Sequence, residues 1–583
     1  MKKVLFAAVA LLATALTGVV TVGSDAGSDT RPTRYVVVYD LNASPAVARG
    51  AVARAGGRVV RENVKVGVAT AISSRHDFLA KASRESALAG VARNKPLGSV
   101  GKPAFRKFSA KQLKAQIRAG KGLRPLRHAG TYLGGPGQHE PLAAKQWDMR
   151  MINATPEGSY SKERGDKKVL VGVLDTGVDA SHPDIAPNFN RALSRNFTVD
   201  IPSAGGFVID GPCEVEPDHS CTDPADVDEN LHGTHVASTI AAPINKLGIA
   251  GVAPDVSIVN LRAGQDSGYF FLQPSVDALT FAADHGIDVV NMSYFIDPWW
   301  MNCVNNPADD STEQLEQRTI IAATQRALDY AHLHGVTMIA AEGNEHADLG
   351  HPTGDTISPD FPDDSVKSPP RPVDNSCMIL PTEGNHVMSV SSLGPLERKA
   401  DYSNYGLEQT TVSAPGGWFR EDPWQPTLPA AERTRLGTPN QILAALPEFV
   451  ARTTPGLLNP DGTPATLSVE RDCAAGACGY YIWIQGTSMA SPHAVGVAAL
   501  IISKYGDKRG GGIAMDPDAV EAMLTSTARD HACPEPRLFT YINKGRDAAF
   551  NALCEGDAEF NGFYGHGIVD ALAAVSTPRG LGK

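Results

Sequence analysis

The sequence predicts an α/β protein with a mostly parallel central sheet and helices on both faces, preceded by a small α+β unit. From Lys167 onward, continuous apolar strands alternate with helical stretches, which is typical of βαβ units and a parallel sheet. Residues 33–100 instead hold short β-branched runs separated by Ala-rich helical stretches. The chain has 583 residues, 42% hydrophobic and 20% charged. This composition excludes collagen-like, coiled-coil and wholly disordered proteins.

The small unit is predicted to contain three strands and two helices. Ser44 is placed to cap the first helix, with Pro45 at its first position. The strands are predicted over Arg34–Asp40, Gly57–Val64 and Val66–Ile72, and the helices over Ala46–Ala55 and His76–Leu88. Residues 101–139 follow with nine Lys and Arg and no acidic residue, which predicts a basic linker.

The larger region, residues 140–577, is predicted to carry the parallel sheet. Its strands are continuous apolar runs, as expected for strands buried on both faces. These strands are predicted over Lys168–Leu174, Val256–Leu261, Asp288–Ser293 and Val336–Ala341, and helices over His232–Ala241, Ser275–His285 and Glu316–His334. Residues 417–480, rich in Pro, Gly and Thr, break the alternation and predict a long insertion with a helix over Gln441–Ala451.

Charge is divided between the two parts of the chain. Residues 1–139 hold 23 Lys and Arg against 6 Asp and Glu, whereas residues 140–583 hold 30 against 58. The net charge of −11 argues against general nucleic-acid binding. The opposite signs also predict an electrostatic attraction between the front of the chain and the remainder.

The N-terminus, residues 1–26, is typical of a signal peptide. Lys2 and Lys3 precede a mostly apolar stretch, residues 4–22, that is rich in small residues. A signal anchor is the alternative, because about 19 such residues nearly span a bilayer, but the stretch is only mildly hydrophobic. We therefore expect a secreted, extracellular protein with no stable membrane span after cleavage.

Eight cysteines fit an exported protein, in which disulfides persist. The sequence does not fix their connectivity. A zinc site is disfavoured, because no CxxC pair occurs and the spacings do not match a four-cysteine site. Pairing neighbours in the chain gives Cys213–Cys221, Cys473–Cys478 and Cys533–Cys554, which leaves Cys303 with Cys377.

Three segments place a polar residue where a strand or loop meets a helix. Asp175 follows an apolar strand, at the edge where α/β folds place their sites, although a turn aspartate is the alternative. His232 opens the loop His-Gly-Thr-His before an apolar helix, and a capping histidine is its alternative. Ser488 precedes the helix AVGVAALII, where a serine is usually only a cap.

Together these residues supply the three roles of acyl-transfer catalysis. A serine hydroxyl needs a base to become nucleophilic, a neutral imidazole is that base, and a carboxylate orients it. The chain order Asp, His, Ser separates this arrangement from other hydrolase plans. No Gly-x-Ser-x-Gly elbow surrounds Ser488, which argues against an α/β-hydrolase lipase or esterase.

Four segments resemble the signature blocks of the subtilisin-like serine proteases. They are VGVLDTGVDASHPD (171–184), HGTHVAS (232–238), AEGN (341–344) and GTSMASPHAVGVAAL (486–500). The resemblance spans residues 140–577 and implies a subtilisin-like fold with Asp175, His232 and Ser488 as the catalytic triad. It also implies that Asn344 donates to the oxyanion beside the backbone N–H of Ser488.

Residues 33–100 resemble, more loosely, the propeptide of this family. The resemblance implies a ferredoxin-like unit that assists folding and then acts as an intramolecular inhibitor until it is removed. It further implies that the active protein is a monomer that acts on protein or peptide substrates.

Substrate-binding residues follow from the same resemblance. Ser267, Gly268 and Tyr269 resemble the edge that pairs with the substrate backbone, and Asn291 and Ser293 the strand beside the S1 pocket. The bulky run from Tyr294 to Trp300 departs from the family's small Gly-containing turn. It either narrows the cleft or adds apolar contacts to it, or it is buried under a neighbouring loop. Glu342 replaces a small residue, and either favours a basic substrate side chain or points inward to a partner.

The resemblance implies a structural calcium site but no organic cofactor. Asp184 and Asn245 match two oxygen ligands of the family's calcium loop, and carbonyls around Pro243, Leu247 and Ile249 would complete the set. The alternative is that Asp184 caps a turn and Asn245 is an ordinary loop residue.

The sequence thus predicts a secreted serine endopeptidase made as a proprotein. An exopeptidase or narrow-specificity processing protease is one alternative, in which the 417–480 insertion blocks an end of the cleft. A non-catalytic binding protein on the same scaffold is another, but it predicts loss of a triad residue, and none is lost.

Overall fold

The computed structural model describes residues 32–94, 140–204, 207–215, 219–296, 298–355, 357–358, 371–509 and 511–578. The predicted signal peptide and basic linker lie outside these residues. No helix within the described ranges combines the length and apolar character needed to cross a bilayer.

The N-terminal unit is a four-stranded antiparallel sheet with two helices. The sheet order is β2-β3-β1-β4, which with the βαββαβ order along the chain is the predicted ferredoxin-like topology. Ser44 caps α1 by accepting the Val47 N–H. The elements are β1 (Thr33–Tyr39), α1 (Pro45–Arg54), β2 (Arg58–Asn63), β3 (Val68–Ser73), α2 (Phe78–Ala82) and β4 (Leu88–Arg93).

One predicted element of this unit is wrong in extent. The helix predicted over His76–Leu88 is only the short α2, and the edge strand β4, which the sequence analysis missed, begins at Leu88. β4 pairs with β1 along Tyr35–Tyr39. This non-local pairing decides the conformation of a stretch whose own composition is rich in Ala and Gly, which are weak strand formers.

The larger region contains nine helices and twenty strands within the described residues. The helices are α3 (Trp147–Met151), α4 (His232–Ala241), α5 (Leu272–Asp284), α6 (Ser311–Leu333), α7 (Ala430–Gly437), α8 (Glu448–Thr453), α9 (Thr487–Tyr505), α10 (Pro517–Thr527) and α11 (Ala571–Ser576). The strands are β5 (Leu170–Leu174), β6 (Arg195–Asn196), β7 (Ser203–Ala204), β8 (Phe207–Val208), β9 (Ser257–Arg262), β10 (Val289–Met292), β11 (Asn302–Cys303), β12 (Thr337–Ala341), β13 (Gly354–Asp355), β14 (Arg371–Pro372), β15 (Cys377–Met378), β16 (Val387–Leu393), β17 (Val412–Pro415), β18 (Ile442–Leu446), β19 (Val469–Ala474), β20 (Ala477–Ile484), β21 (Asp507–Arg509), β22 (Gly512–Ala514), β23 (Leu538–Phe539) and β24 (Ala552–Leu553).

Seven of these strands form the predicted parallel sheet, in the order β17-β16-β12-β10-β5-β9-β6. Every pairing between neighbours in it is parallel. Helices α4 and α9 pack together against the sheet, and α5 and α6 form a second packed pair. Because all strands run the same way, their carboxyl ends meet at one edge, where α/β proteins carry their sites.

The N-terminal unit packs on α5 and α6 through one face of its sheet. Along β1, Val36 and Val38 enter the large core with the main domain, while Tyr35, Val37 and Tyr39 enter the unit's own core. This alternation follows from the two-residue period of a strand. The sheet of the unit is thus a layer between the unit's own helices and those of the main domain.

The insertion forms a three-stranded antiparallel sheet in the order β18-β20-β19. The predicted helix over Gln441–Ala451 is wrong: its first part is β18, and only Glu448–Thr453 is helical. A short apolar run has no periodicity that separates strand from helix, and here the pairing of β18 with β20 and its packing on α4 select the strand. All four neighbour disulfide pairings are confirmed: Cys213–Cys221, Cys303–Cys377, Cys473–Cys478 and Cys533–Cys554.

Candidate functional site

Asp175 and His232 meet at the carboxyl edge of the sheet. Asp175 directly follows β5, and His232 is the first residue of α4. The Nδ1 atom of His232 lies 2.8 Å from Oδ1 of Asp175, and both side chains are fully buried. The Thr176 N–H also donates to this carboxylate oxygen, at 2.7 Å. A buried carboxylate bound to Nδ1 fixes the imidazole's orientation and tautomer.

Asp228, which the sequence analysis missed, ties β5 to the start of α4. Its carboxylate accepts the N–H and hydroxyl of Thr234 at 3.0 and 2.6 Å and the hydroxyl of Thr176 at 3.2 Å. It also accepts the N–H of Leu231, whose φ of 108° is a conformation that non-glycine residues rarely adopt. Burial raises the pKa of Asp228. Its position in the turn before α4, where an Asp side chain commonly accepts nearby backbone N–H groups, was the available signal.

Ser488 is the second residue of α9 and is buried. Backbone N–H groups in the first turn of a helix have no partner within it, and the helix dipole places positive potential there. The Ser488 hydroxyl donates to the Ser293 carbonyl at 3.4 Å, and the Ser293 hydroxyl donates back to the Ser488 carbonyl at 3.1 Å. The end of β10 and the start of α9 are thus joined at this serine.

Asn344 lies beside Ser488. Its Oδ1 accepts both the N–H and the hydroxyl of Thr487, at 2.9 and 3.1 Å. With Oδ1 occupied in this way, Nδ2 is the donating end of the side chain. The Thr487 hydroxyl also accepts the Gly343 N–H. The structure therefore places an amide donor and a helix N-terminus next to the same serine.

Asn291 and Ser293 take different positions. Asn291 is fully buried, donates to the Ser293 hydroxyl at 2.8 Å, and accepts the Ser491 hydroxyl at 2.8 Å. Ser293 lines a recess beside Ser488. Asn291 thus lies in the interior next to Ser293 and holds the Ser293 hydroxyl in place.

The recess has aromatic and polar walls. The bulky residues that depart from the family pattern are themselves buried, and Phe295 and Trp300 pack in a cluster with Ile379 and the Cys303–Cys377 disulfide. Burial, one of the alternatives from the sequence, is therefore observed, and Tyr294, Phe295 and Trp300 also line the recess. Its lining residues are Ser293, Tyr294, Phe295, Trp300, Ala341, Glu342, Gly343, Asn344, Glu345, Ile379, Thr487 and Ser488.

Two expected substrate contacts are not supported by this geometry. The carboxyl of Glu342 is fully buried and accepts the Thr410 hydroxyl, so it points inward, and burial raises its pKa to about 8. Ser267 and Gly268 form a turn, in which the Gly268 N–H donates to Gln265 and the Gln265 N–H to the Tyr269 carbonyl. These backbone groups are used within the turn, and 267–269 is not an extended edge strand.

Asp184 and Asn245, the two residues that match the family's calcium ligands, lie in contact with each other. Asp184 accepts hydrogen bonds from Asn245 Nδ2, the Tyr481 hydroxyl and the Ile249 N–H at 2.8, 2.7 and 3.2 Å. The Glu140 carboxylate, which is near enough to raise the pKa of Asp184, has a buried oxygen without a hydrogen-bond partner, and carboxylate oxygens are the ligands that calcium prefers. Burial raises the pKa of Asp184 to about 7.

A buried Asp–His pair and a serine at a helix start, beside an amide donor, are the groups of a serine hydrolase of the Asp-His-Ser order. A family model described as the subtilase family (Peptidase_S8) matches residues 166–567. The chain belongs to the subtilase family of serine proteases.

The regions of curated relatives that match this chain cover only part of each relative's length. The nisin leader peptide-processing serine protease of Lactococcus lactis is 27% identical over 368 residues, which are 62% of this chain and 44% of that protein. Subtilisin DY of Bacillus licheniformis is 25% identical over 337 residues, 58% of this chain and 77% of that protein. The chain spans about half the length of the first of these.

The fold is shared with a solved subtilase. The epidermin leader peptide processing serine protease of Staphylococcus aureus superposes with a TM-score of 0.60 at 19% identity, covering 93% of this chain and 99% of that one. The shared coverage confirms the α/β fold with its parallel central sheet.

We predict that Glu342→Gln flattens the dependence of stability on pH. The folded-state pKa of about 8 exceeds the ordinary value of 4.5, so the folded protein binds more protons than the unfolded chain between these values. Stability from this group is full below about pH 4.5 and is lost as pH rises towards 8, with a slope of about 1.4 kcal/mol per pH unit. Urea unfolding between about pH 5 and 7 measures that slope.

The control is Glu408→Gln, an exposed glutamate two residues before Thr410, which should leave the slope unchanged. Burial lowers the pKa of the neighbouring Lys399 to about 7, so stability from the lysine rises with pH only above that value. Equal slopes for Glu342→Gln and the parent would contradict the prediction.

Proposed function

We propose that the protein is a secreted serine endopeptidase made as an inactive proprotein. One observation supports the proposal: two groups lie at the same edge of the sheet. The first is the buried Asp175–His232 pair. The second is Ser488, whose carbonyl accepts the hydroxyl of Ser293 at the end of β10. The chemistry needs no organic cofactor, because these side chains supply nucleophile, base and orienting carboxylate.

In the proposed reaction His232 takes the proton of Ser488 as its Oγ attacks the scissile carbonyl. The tetrahedral intermediate collapses to an acyl-enzyme when the peptide nitrogen leaves with the proton from His232. Water, deprotonated by the same imidazole, then attacks the ester, and the proton returns to Ser488 as the acid product leaves. Asp175 holds the imidazole and stabilises its charged form.

The developing oxyanion is stabilised by Asn344 and by the backbone N–H of Ser488. The Thr487 contacts that occupy Oδ1 of Asn344 support this role, because they leave the amide hydrogens to face the reacting oxygen. Such donors act in a buried site without reorganising during the reaction.

The N-terminal unit acts as an intramolecular inhibitor. Its basic side chains pair with acidic side chains on α5 and α6: Arg93 with Glu316, Arg61 with Asp277, and Lys65 with Asp284. Asn63 adds hydrogen bonds to Asp277 and Thr280. The pattern supports the expectation, from the charge division of the sequence, that opposite charge holds this unit on the main domain.

A narrow-specificity processing protease is the alternative that the relatives favour. The names of the Lactococcus and Staphylococcus proteins describe leader peptide processing, and the bulky walls of the recess would restrict substrates. Cleavage mapping on a denatured protein distinguishes the possibilities: many internal cuts support a general endopeptidase, one or few sites a processing protease, and terminal cuts an exopeptidase.

Ser488→Ala is expected to abolish peptide hydrolysis and to leave the N-terminal unit uncut, because the nucleophile is removed. N-terminal sequencing of the secreted protein and a casein assay measure both effects. Ser503→Ala, a serine on the same helix that bonds Glu163, should behave as the parent. A fluorophosphonate that labels the parent but not Ser488→Ala excludes a binding protein without catalysis; unchanged casein digestion by Ser488→Ala would refute the assignment.

Asn344→Ala should lower kcat by roughly 10²–10³-fold with a smaller change in KM, since the lost donor acts on charge that develops in the transition state. The magnitude is borrowed from the equivalent change in a subtilisin. Steady-state kinetics on a peptide substrate measure it. The control is Asn459→Ala, at an exposed position in the insertion, which should leave kcat unchanged. Asn404→Ala is not a suitable control, because Asn404 donates to Glu345, a residue that lines the recess.

Arg93→Ala in a separately added N-terminal unit should weaken its inhibition about tenfold or more, because Glu316 (3% exposed) loses its ion pair with the Arg93 guanidinium. Inhibition by the parent unit should also weaken as salt rises. Arg54→Ala, whose ion pair with Glu85 lies within the unit, is the matched control. Inhibition that is independent of salt and of Arg93 would contradict the electrostatic account.

A further inference from the structure

Two histidines and an aspartate from three separate elements of the main domain meet on its surface. His332 lies in the last turn of α6, His386 directly precedes β16, and Asp518 lies in the first turn of α10. Each offers one ligand atom, an imidazole nitrogen or a carboxylate oxygen, and the three atoms lie within 4.8 Å of one another. The three residues are far apart in sequence, so it is the fold that brings them together.

The spacing of these atoms is close to that of ligands on one transition-metal ion. Nε2 of His332 lies 3.5 Å from Oδ1 of Asp518. Two ligands that bind a tetrahedral zinc ion at about 2.1 Å lie about 3.4 Å from each other. The imidazole of His386 stacks on that of His332, with ring centroids 3.8 Å apart and an angle of 10° between the ring planes. Small side-chain rotations therefore suffice to direct all three groups at one ion.

The position of His386 beside α6 is held by its neighbours. The N–H of Asn385 donates to the side chain of Gln325 on α6 at 3.0 Å, and the Gln325 amide donates to Asp329 at 2.7 Å. Asp329 in turn lies 3.7 Å from Nε2 of His386. Metal-binding histidines are commonly accompanied by such a carboxylate, which orients the ring. The two imidazoles are thus placed side by side by contacts of the protein itself.

The electrostatic surroundings favour a cation. The negative end of the α6 dipole lies at the helix C-terminus, in the turn that carries His332. Among the described residues, neither Asp518 nor Asp329 forms an ion pair with a lysine or arginine, and their charged neighbours are His332 and His386. The side chains of His332, His386 and Asp518 are 17%, 37% and 76% exposed. An ion can therefore enter from solvent, and water can complete its coordination.

We propose that His332, His386 and Asp518 form a zinc-binding site. Two imidazole nitrogens and one carboxylate oxygen are ligands that suit zinc, whereas calcium and magnesium prefer oxygen alone. Since α6 leads into β12 and His386 precedes β16, the site lies at the amino edge of the sheet, opposite the edge that holds Ser488. The bound ion would join α6, β16 and α10 and stabilise the fold. The inference is independent of the proposed catalytic function.

Zinc binding by the full chain tests the site, in the Ser488→Ala background so that the protein does not digest itself. Isothermal titration calorimetry with zinc chloride should show a site that His386→Ala or Asp518→Asn weakens about tenfold or more, because one ligand is lost. Excess calcium chloride should not displace the zinc. No zinc binding by the background protein, equally strong binding by both variants, or displacement by calcium would overturn the proposal.

His285→Ala is the matched control, because His285 is an exposed histidine that directly follows α5 and stacks on Phe281. It should bind zinc as the background protein does. Thermal unfolding gives a second measurement: zinc should raise the Tm of the background protein and of His285→Ala but not that of His386→Ala, since only an ion bound to the folded state stabilises it. A Tm that zinc raises equally in all three proteins would also overturn the proposal.

Discussion

The burial of helix α9 is the constraint on which the rest of the structure depends. Every residue of this helix from Thr487 to Ile502 is buried, and the helix packs on β10, β12, β16 and β17. At Gly496 the contact is so close that a Cβ atom would lie 2.4 Å from Val252. A helix enclosed in this way cannot shift along its axis without breaking its packing, so its first turn, with Ser488, is fixed at the carboxyl edge of the sheet.

The histidine side of the site is held by a second set of contacts, which includes the insertion. Asp228 fixes the start of α4 against β5, while the Ala445 N–H on β18 donates to Ser238 at 2.9 Å on the same helix. His235 places Nε2 within 3.3 Å of the carbonyls of Ile442 and Ile482. A segment that looks in sequence like a surface addition is therefore part of the support of the helix that carries His232.

The sequence predicted those features that are encoded locally. The apolar strand before Asp175 and the blocks around His232 and Ser488 indicate both their elements and their place at the sheet edge. Features decided by distant partners were missed. Thr410 turns Glu342 inward, pairing with β20 makes a strand of β18, and the Tyr481 hydroxyl donates to Asp184 from almost 300 residues further along the chain. No property of residues 184 or 342 alone reveals such partners.

The basic residues of the N-terminal unit fall into two groups. Some are neutralised within the N-terminal unit, as Arg54 is by Glu85 and Arg49 by Glu62, and such exposed pairs contribute little to stability. Others face α5 and α6, where Glu316 is nearly buried and its charge needs the partner that Arg93 supplies. Net charge alone would steer the two parts together without fixing their orientation. The orientation follows from the packing of Val36 and Val38 into the large core together with the few ion pairs at the helices, and removal of the N-terminal unit would break both.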